Sequence, residues 1–380
     1  MEQIIYLDNA ATTKPCQIAL KNNQIYNDCE YFNPSAVYKQ GLNAKQALTD
    51  AKNNIINCFS KDFDLIFTSC GSESDNMAIF SYSNRGNIVT SLGEHSAVYA
   101  PLVELKNKGY DSRFAKINSD GTVDISDLLS KIDKNTVLVS IMHVNNETGG
   151  INNVNEIAKL CKEINPRLIF HVDGVQAFGK IPFKPSQNID LYSVSAHKIN
   201  GLKGVGGLFK NKKIKNLKPL IYGGGQENGL RSGTENIFGI KIFETVTLDK
   251  YSKIKENYQI MQDKKQEFLS KIDSDLFTII STENCSPYII SLSAVGLKGE
   301  VLLHKLEEDG IIIGTGSACS SRNQYSRVLK EAGFGANVLD GVVRISFDIN
   351  ITSEQINYVT QKLNVRANEL KRTINKWKKL

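Results

Sequence analysis

Two residues could anchor covalent chemistry: Lys198, closing Ser-Val-Ser-Ala-His-Lys (193–198), and Asp173, within His-Val-Asp-Gly-Val-Gln (171–176). Each follows a short apolar run that reads as a buried strand, 168–172 before the aspartate and 190–194 before the lysine. In a parallel α/β sheet, ligand sites form beyond the carboxyl ends of the strands. An amine and a carboxylate delivered there from neighbouring strands suit pyridoxal 5'-phosphate. The lysine forms a Schiff base with the aldehyde, and the carboxylate keeps the ring nitrogen protonated so that the ring accepts electrons.

Other segments supply the remaining parts of such a site. Thr-Ser-Cys-Gly-Ser-Glu-Ser-Asp-Asn (68–76) follows a predicted strand and leads into a helical run, so Gly71 and Ser72 would present a helix N-terminus to an anion. Ser195, His197 and the Arg-Ser-Gly-Thr run ending at Thr234 offer further donors. Neither G-x-x-x-x-G-K-[ST] nor G-x-G-x-x-G occurs between strand and helix, and the triple glycine at 223–225 matches neither spacing. That weighs against nucleotide binding. His95 follows the predicted strand 88–91 and is placed to stack on a planar ring. Gln176, three residues beyond Asp173, is a donor for a ring oxygen. Asn145 and Asn146 provide amides for a substrate carboxylate or the ring hydroxyl. Arg344 interrupts the apolar strand 342–346, where a charge needs a partner, and a guanidinium is a natural clamp for an amino-acid carboxylate.

Cys319 lies in Gly-Thr-Gly-Ser-Ala-Cys-Ser-Ser (314–321), whose small residues predict an exposed loop suited to carrying a thiol between a buried site and an acceptor. The seven cysteines are scattered, odd in number and without a C-x-x-C pair. That excludes a disulfide framework and a cysteine zinc site, so no metal is expected, and it points to a reducing, cytoplasmic setting.

The elements that must position these residues follow from periodicity. Candidate strands at 65–68, 88–91, 137–142, 168–172, 191–194 and 205–209 alternate with helical patterns such as Val154, Ile157, Ala158, Cys161 and Ile164 on one face. This alternation predicts an α/β fold with a mostly parallel sheet flanked by helices. A charged helical stretch at about 246–275 reads as a bridge. Beyond it, strands at 288–295, 311–313 and 342–347 and helices at 300–309 and 353–371 predict a smaller α+β domain. The expected division is a large cofactor-binding domain at 16–250 and a small domain at 251–380, joined by 1–15 and carrying the Cys319 loop. The chain has 380 residues, enough for both cores. No apolar run reaches 18 residues, so no membrane span is expected. The net charge of +6 is diffuse, which argues against direct nucleic-acid binding despite basic residues near the C-terminus.

Taken in order, these segments resemble the cysteine desulfurases of the NifS/IscS kind, fold-type I pyridoxal-phosphate enzymes of the class V aminotransferase group. The resemblance runs from Tyr-Leu-Asp-Asn-Ala-Ala-Thr-Thr (6–13) through Phe-Asn-Pro-Ser (32–35), Glu-Ser-Asp-Asn (73–76), His-Val-Asn-Asn-Glu (143–147), His-Val-Asp (171–173), Ala-His-Lys (196–198), Arg-Ser-Gly-Thr (231–234) and Gly-Ser-Ala-Cys (316–319) to Arg344. It implies Lys198 as the Schiff-base lysine, Asp173 on the ring nitrogen, Gln176 on the ring hydroxyl, and His95 stacking and shuttling protons. Gly71, Ser72, Ser195, His197 and, from a second subunit, Thr234 would hold the phosphate. Asn145 or Asn146, Arg344 and Asn33 would take the substrate. L-Cysteine would become L-alanine, with a persulfide on Cys319 passed to an acceptor such as an iron–sulfur scaffold or a tRNA-thiolation enzyme. A homodimer is implied. A selenocysteine lyase or another class V aminotransferase is the alternative. Cys70 and Gly174 depart from the usual pattern, and the loop after Cys319 lacks the familiar Leu-Glu-Pro stretch.

Overall fold

The computed structural model describes residues 4–83, 85–315 and 325–377. Its strands are β1 (Ile5–Leu7), β2 (Phe63–Thr68), β3 (Asn87–Ser91), β4 (Ser112–Ala115), β5 (Thr136–Met142), β6 (Ile169–Asp173), β7 (Leu191–Ser195), β8 (Gly206–Asn211), β9 (Phe277–Ile279), β10 (Ile289–Ala294), β11 (Ile311–Ile313) and β12 (Val342–Ser346). Seven form the main sheet in the order β2-β8-β7-β6-β5-β3-β4. Only β8 runs against the others, pairing antiparallel with both β2 and β7. The sheet is therefore mostly parallel, as the alternation of elements predicts. All six candidate strands in this region are present. The edge strand β4 was not legible, because Ser-Arg-Phe-Ala is too short and polar to show a pattern.

Both faces of the sheet are covered, which is why its central strands are nearly continuous apolar runs. On one face, the helices Lys39–Phe59, Val154–Ile164 and Ile237–Ser252 bring Ile55, Phe59, Ile157, Cys161 and Phe243 against Val139, Ile141, Phe170 and Val194. On the other, Gly71–Phe80 and Ser96–Asn107 pack Ile79, Val98 and Leu102 on Ile88, Leu138 and Leu191. The helix Val154–Ile164 starts where the side chain of Asn153 accepts from the Glu156 N–H, a cap worth about 1 kcal/mol.

A second cluster of buried apolar residues surrounds the antiparallel sheet β9-β10-β12 and the parallel pair β1-β11. The terminal helix Ser353–Trp377 covers it with Ile356, Val359 and Leu363. The bridge expected at 246–275 as a single helical stretch is two helices, Ile237–Ser252 and Ile254–Leu269, broken at Lys253 (φ −127°). The first supplies Ile240, Phe243 and Val246 to the core beneath the main sheet, the second Met261 and Phe268 to the other. A straight helix could not aim its apolar face at both. No helix among the described residues is long and apolar enough to cross a membrane.

The departure at Gly174 has a packing cause. A Cβ there would lie 1.9 Å from Cε1 of Tyr192. That ring is 1% exposed and wedged between Phe59 and Phe183, with ring centroids at 4.8 and 5.7 Å. Its hydroxyl meets His143 Nδ1 at 2.9 Å, so it cannot swing away. Gly174→Ala should lower stability by about 1–3 kcal/mol in urea unfolding, and Tyr192→Leu in the same chain should recover part of the loss. Equal stability of Gly174→Ala and wild type would show that the ring gives way.

Candidate active site

The turns after β2, β3, β5, β6 and β7 open on one edge of the sheet, and they enclose a cavity of about 230 Å³. Gly71, Ser72, His95, Asp173, Gln176, Ser195, His197, Lys198 and Arg344, all singled out from the sequence, line it together. Asp173 ends β6 and sits opposite Ser193 of β7. One 3-10 turn past β7, Ala196–Lys198, the Lys198 Nζ donates to the carbonyls of Ala10 (2.6 Å) and Ala11 (2.8 Å).

At one end, the helix Gly71–Phe80 points its N-terminus at the cavity. Cys70 at its start makes no side-chain cap. Glu73 in the first turn is turned aside: burial would raise its pKa, but hydrogen bonds from Arg231 and Ser69 outweigh that and lower it. A Cβ on Gly71 would meet Val175 Cγ2 at 2.6 Å, so glycine permits the close approach of the helix to the loop after Asp173. Ser195 is buried. The pKa of His197 falls to about 4, chiefly through burial and then the charges of Lys198, Lys203 and Lys180. Its Nδ1 lies 3.1 Å from Thr12 Oγ1.

The middle of the cavity concentrates carboxyl groups. Asp173 Oδ1 accepts from the Val175 N–H at 3.0 Å. Its pKa is raised by burial, although His95 and Lys198 pull it down. Asp75 and Glu94 also line the cavity. Asp75 Oδ1, 3.6 Å from His171 Nε2, and Glu94 Oε2 are buried without a hydrogen-bond partner among the described residues. Burial raises both pKa values; Glu94 reaches about 8. His95 accepts the Ala97 N–H at Nδ1 (3.2 Å), so in the neutral ring the proton sits on Nε2. Burial is the main cause of its lowered pKa, with Lys198 and Arg327 acting in the same direction against Asp173.

At the far end stands Arg344, 5% exposed. Its Nη2 binds Asp8 Oδ1 at 2.6 Å and its Nη1 donates to the Asn146 carbonyl at 2.8 Å. Its Nε is buried with no hydrogen-bond partner among the described residues. Glu147 accepts from Ser326 Oγ, and burial raises its pKa against the pull of Ser326, Arg344 and Arg327. Arg327, which no sequence signal flagged, also lines the cavity; it packs over Tyr99 and donates to the carbonyls of Leu92 and Glu94. A basic residue just past a glycine- and serine-rich loop carries no pattern that could have marked it.

Four expected residues are not in the cavity as described. Asn145 is a correction. Its Nδ2 donates to the Gly93 carbonyl and its Oδ1 accepts from the Glu147 and Thr148 N–H groups, so its amide is spent on shaping the turn. Asn146, the alternative, lines the cavity instead. Asn33 is exposed and accepts from the Ser35 N–H. Thr234 is exposed and lines a separate cleft with Arg231 and Glu227. Cys319 lies outside the described residues.

The arrangement of strands, helix end, lysine and carboxylate is that of the class V aminotransferases, whose family model matches residues 5–359, and the chain belongs to that family of pyridoxal-phosphate enzymes. Its relatives narrow the class to the cysteine desulfurases. It is 36% identical to the cysteine desulfurase IscS of Dictyoglomus turgidum (strain DSM 6724 / Z-1310), over 100% of this chain and 98% of that one. A cysteine desulfurase of Nostoc sp. (strain PCC 7120 / SAG 25.82 / UTEX 2576) is 34% identical, over 94% of this chain and 91% of its own. The solved structure of a NifS-like protein superposes with a TM-score of 0.89 at 30% identity, covering 97% of this chain and 100% of that one.

Glu94 gives the site a pH signature. Its folded pKa of about 8 lies above the ordinary 4.5, so the folded chain holds a proton that the unfolded chain has released between those values. Stability therefore falls as pH rises across that window and levels off above it. Glu94→Gln, which does not titrate, should gain on wild type between pH 5 and pH 9 by on the order of a few kcal/mol in urea unfolding. Parallel stability–pH curves would show that Glu94 is ionised throughout.

Proposed function

We propose that this site takes the sulfur from L-cysteine, leaving L-alanine and a persulfide on Cys319 that is handed to a protein acceptor. The observation that carries this is the convergence of Lys198, Asp173 and Arg344 on one cavity: an amine, a buried carboxylate and a guanidinium suited to a substrate carboxylate. The residues fit pyridoxal 5'-phosphate. The helix end at Gly71 lacks a side-chain cap, and Arg344 Nε and two carboxyl oxygens have no hydrogen-bond partner among the described residues. Gly71 leaves room beside Val175.

In this reading Gly71, Ser72, Ser195 and His197 hold the phosphate, Asp173 faces the ring nitrogen, and Gln176 donates to the ring hydroxyl. When bound, the cofactor supplies the electron sink that weakens the α-hydrogen and C–S bonds of the substrate. Lys198 would anchor it and then carry the α-proton on its amine. Neutral His95, with its proton on Nε2, stacks on the ring and relays protons. Arg344, steadied by Asp8 and the Asn146 carbonyl, offers its unpartnered Nε–H to the substrate carboxylate, with the Asn146 side chain beside it. The Cys319 thiolate attacks the substrate sulfur as the C–S bond breaks. L-Cysteine and the Cys319 thiol then become L-alanine and the Cys319 persulfide, with atoms and electrons balanced.

Two copies of the chain complete the site. The exposure of Thr234, beside the exposed Leu220, Ile221 and Tyr222, supports its service to a partner's phosphate pocket. The acceptor is a protein thiol of an iron–sulfur scaffold or a tRNA-thiolation enzyme, and the setting is the cytoplasm.

The test is alanine and sulfide release from L-cysteine with a reductant. Cys319→Ala should make neither product while keeping the cofactor absorbance; a variant as active as wild type would remove Cys319 from the reaction. Arg344→Gln should raise KM by roughly 10- to 100-fold, the loss of one charged hydrogen-bonded contact. An unchanged KM would place the carboxylate elsewhere.

A further inference from the structure

Lys180 is a buried lysine that the mechanism above leaves unused. It is 8% exposed, and its Nζ donates to Gln176 Oε1 at 3.4 Å. The other end of the same amide is also committed, because Gln176 Nε2 donates to the Ala10 carbonyl at 2.8 Å. That carbonyl is the one Lys198 Nζ approaches to 2.6 Å. One backbone oxygen, fixed by the Ala10 N–H donating to Ser346 Oγ at 2.8 Å, is thus shared by Lys198 and Gln176.

The polarity of these contacts leaves the amide one orientation. Turning it over would set Nε2 against the Lys180 amine and Oε1 against the Ala10 carbonyl, two like pairs in a buried site. With Oε1 held by Lys180, the second Nε2–H stays a donor for the cavity, and a ring oxygen is an acceptor. A carbonyl turned that way would repel it.

Lys180 also sits where charge is felt. Lys180 and Lys198 line a common void of about 20 Å³ with Tyr288 and Asp348. The Tyr288 ring lies 6.0 Å from Lys180 Nζ. Burial lowers the Lys180 pKa to about 7; Lys198, Lys250 and Arg344 push the same way, while Asp348 opposes them.

We infer that Lys180 is a positioning residue that fixes the Gln176 amide with its donor edge toward the cofactor ring, an inference that rests on the site reading above. Its consequence falls on the Schiff base at Lys198. A donor on the ring oxygen and a positive group behind the lysine both disfavour a proton on that imine.

The experiment is a pH titration of the visible absorbance of the resting enzyme loaded with pyridoxal 5'-phosphate, without substrate. Lys180→Met should raise the midpoint by on the order of one pH unit. Lys180→Gln, which keeps an N–H donor without the charge, should raise it less. Gln176→Leu should also raise it, and the double variant should shift by less than the sum. A Lys180→Met midpoint equal to wild type while Gln176→Leu shifts would overturn the role of Lys180 alone. Strictly additive shifts would show Lys180 acting without Gln176, which also overturns it. Wild-type midpoints in both single variants would remove Gln176 from the ring, and the reading of the site with it.

Discussion

The parallel pairing of β6 with β7 is the constraint on which the site depends. Asp173 faces Ser193 across that pair, so the carboxylate and the turn carrying Lys198 leave the sheet side by side. A slip of one residue would turn every side chain of one strand to the opposite face. The register is held by residues buried on both faces of each strand, Phe170 and Val172 on one, Leu191, Tyr192 and Val194 on the other. The void left by Gly174 is filled by the Tyr192 ring, so the strand pair is locked within a residue of the carboxylate it presents.

Around that pair the chain buries more charge than a core ordinarily tolerates. Asp75, Glu94 and Asp173 are all lined up on the cavity with two unpartnered oxygens among them. In a purely structural interior such groups would be costly. Burial is the main cause of their raised pKa values, and a cation bound among them would favour their charged forms. Arg344, on the same cavity, is paired with Asp8, and its Nε has no hydrogen-bond partner among the described residues.

Much of the cavity lining was legible because it stands at or just past strand ends, which show in a sequence as apolar runs breaking into glycine, serine or asparagine. Lys198, Asp173, His95 and Gly71 all lie at or within four residues of such an end and line the same cavity. The single helix expected at 246–275 failed as a helix count, because periodicity does not reveal that two cores compete for its apolar face. Asn145 and Asn146 differ by one position. Only the turn geometry shows that the first spends its amide on backbone. Arg327 and Asp8 carry no sequence signal for their contacts because their partners lie far away in sequence; Asp8 meets Arg344 across 336 positions.

That last separation bears on how the protein folds. The segment that follows β1 supplies the Ala10 carbonyl beneath Lys198 and the Asp8 carboxylate beneath Arg344. β1 pairs with β11, and Asn9 and Ala10 are pinned by Ser346. These residues therefore find their places only once β11 and β12 are in position, and contacts of such span form late. The main sheet can form while β1 is still unmatched. A chain cut between β10 and β11 would therefore keep Asp173 and the turn of Lys198 but leave the carbonyl beneath the lysine unplaced.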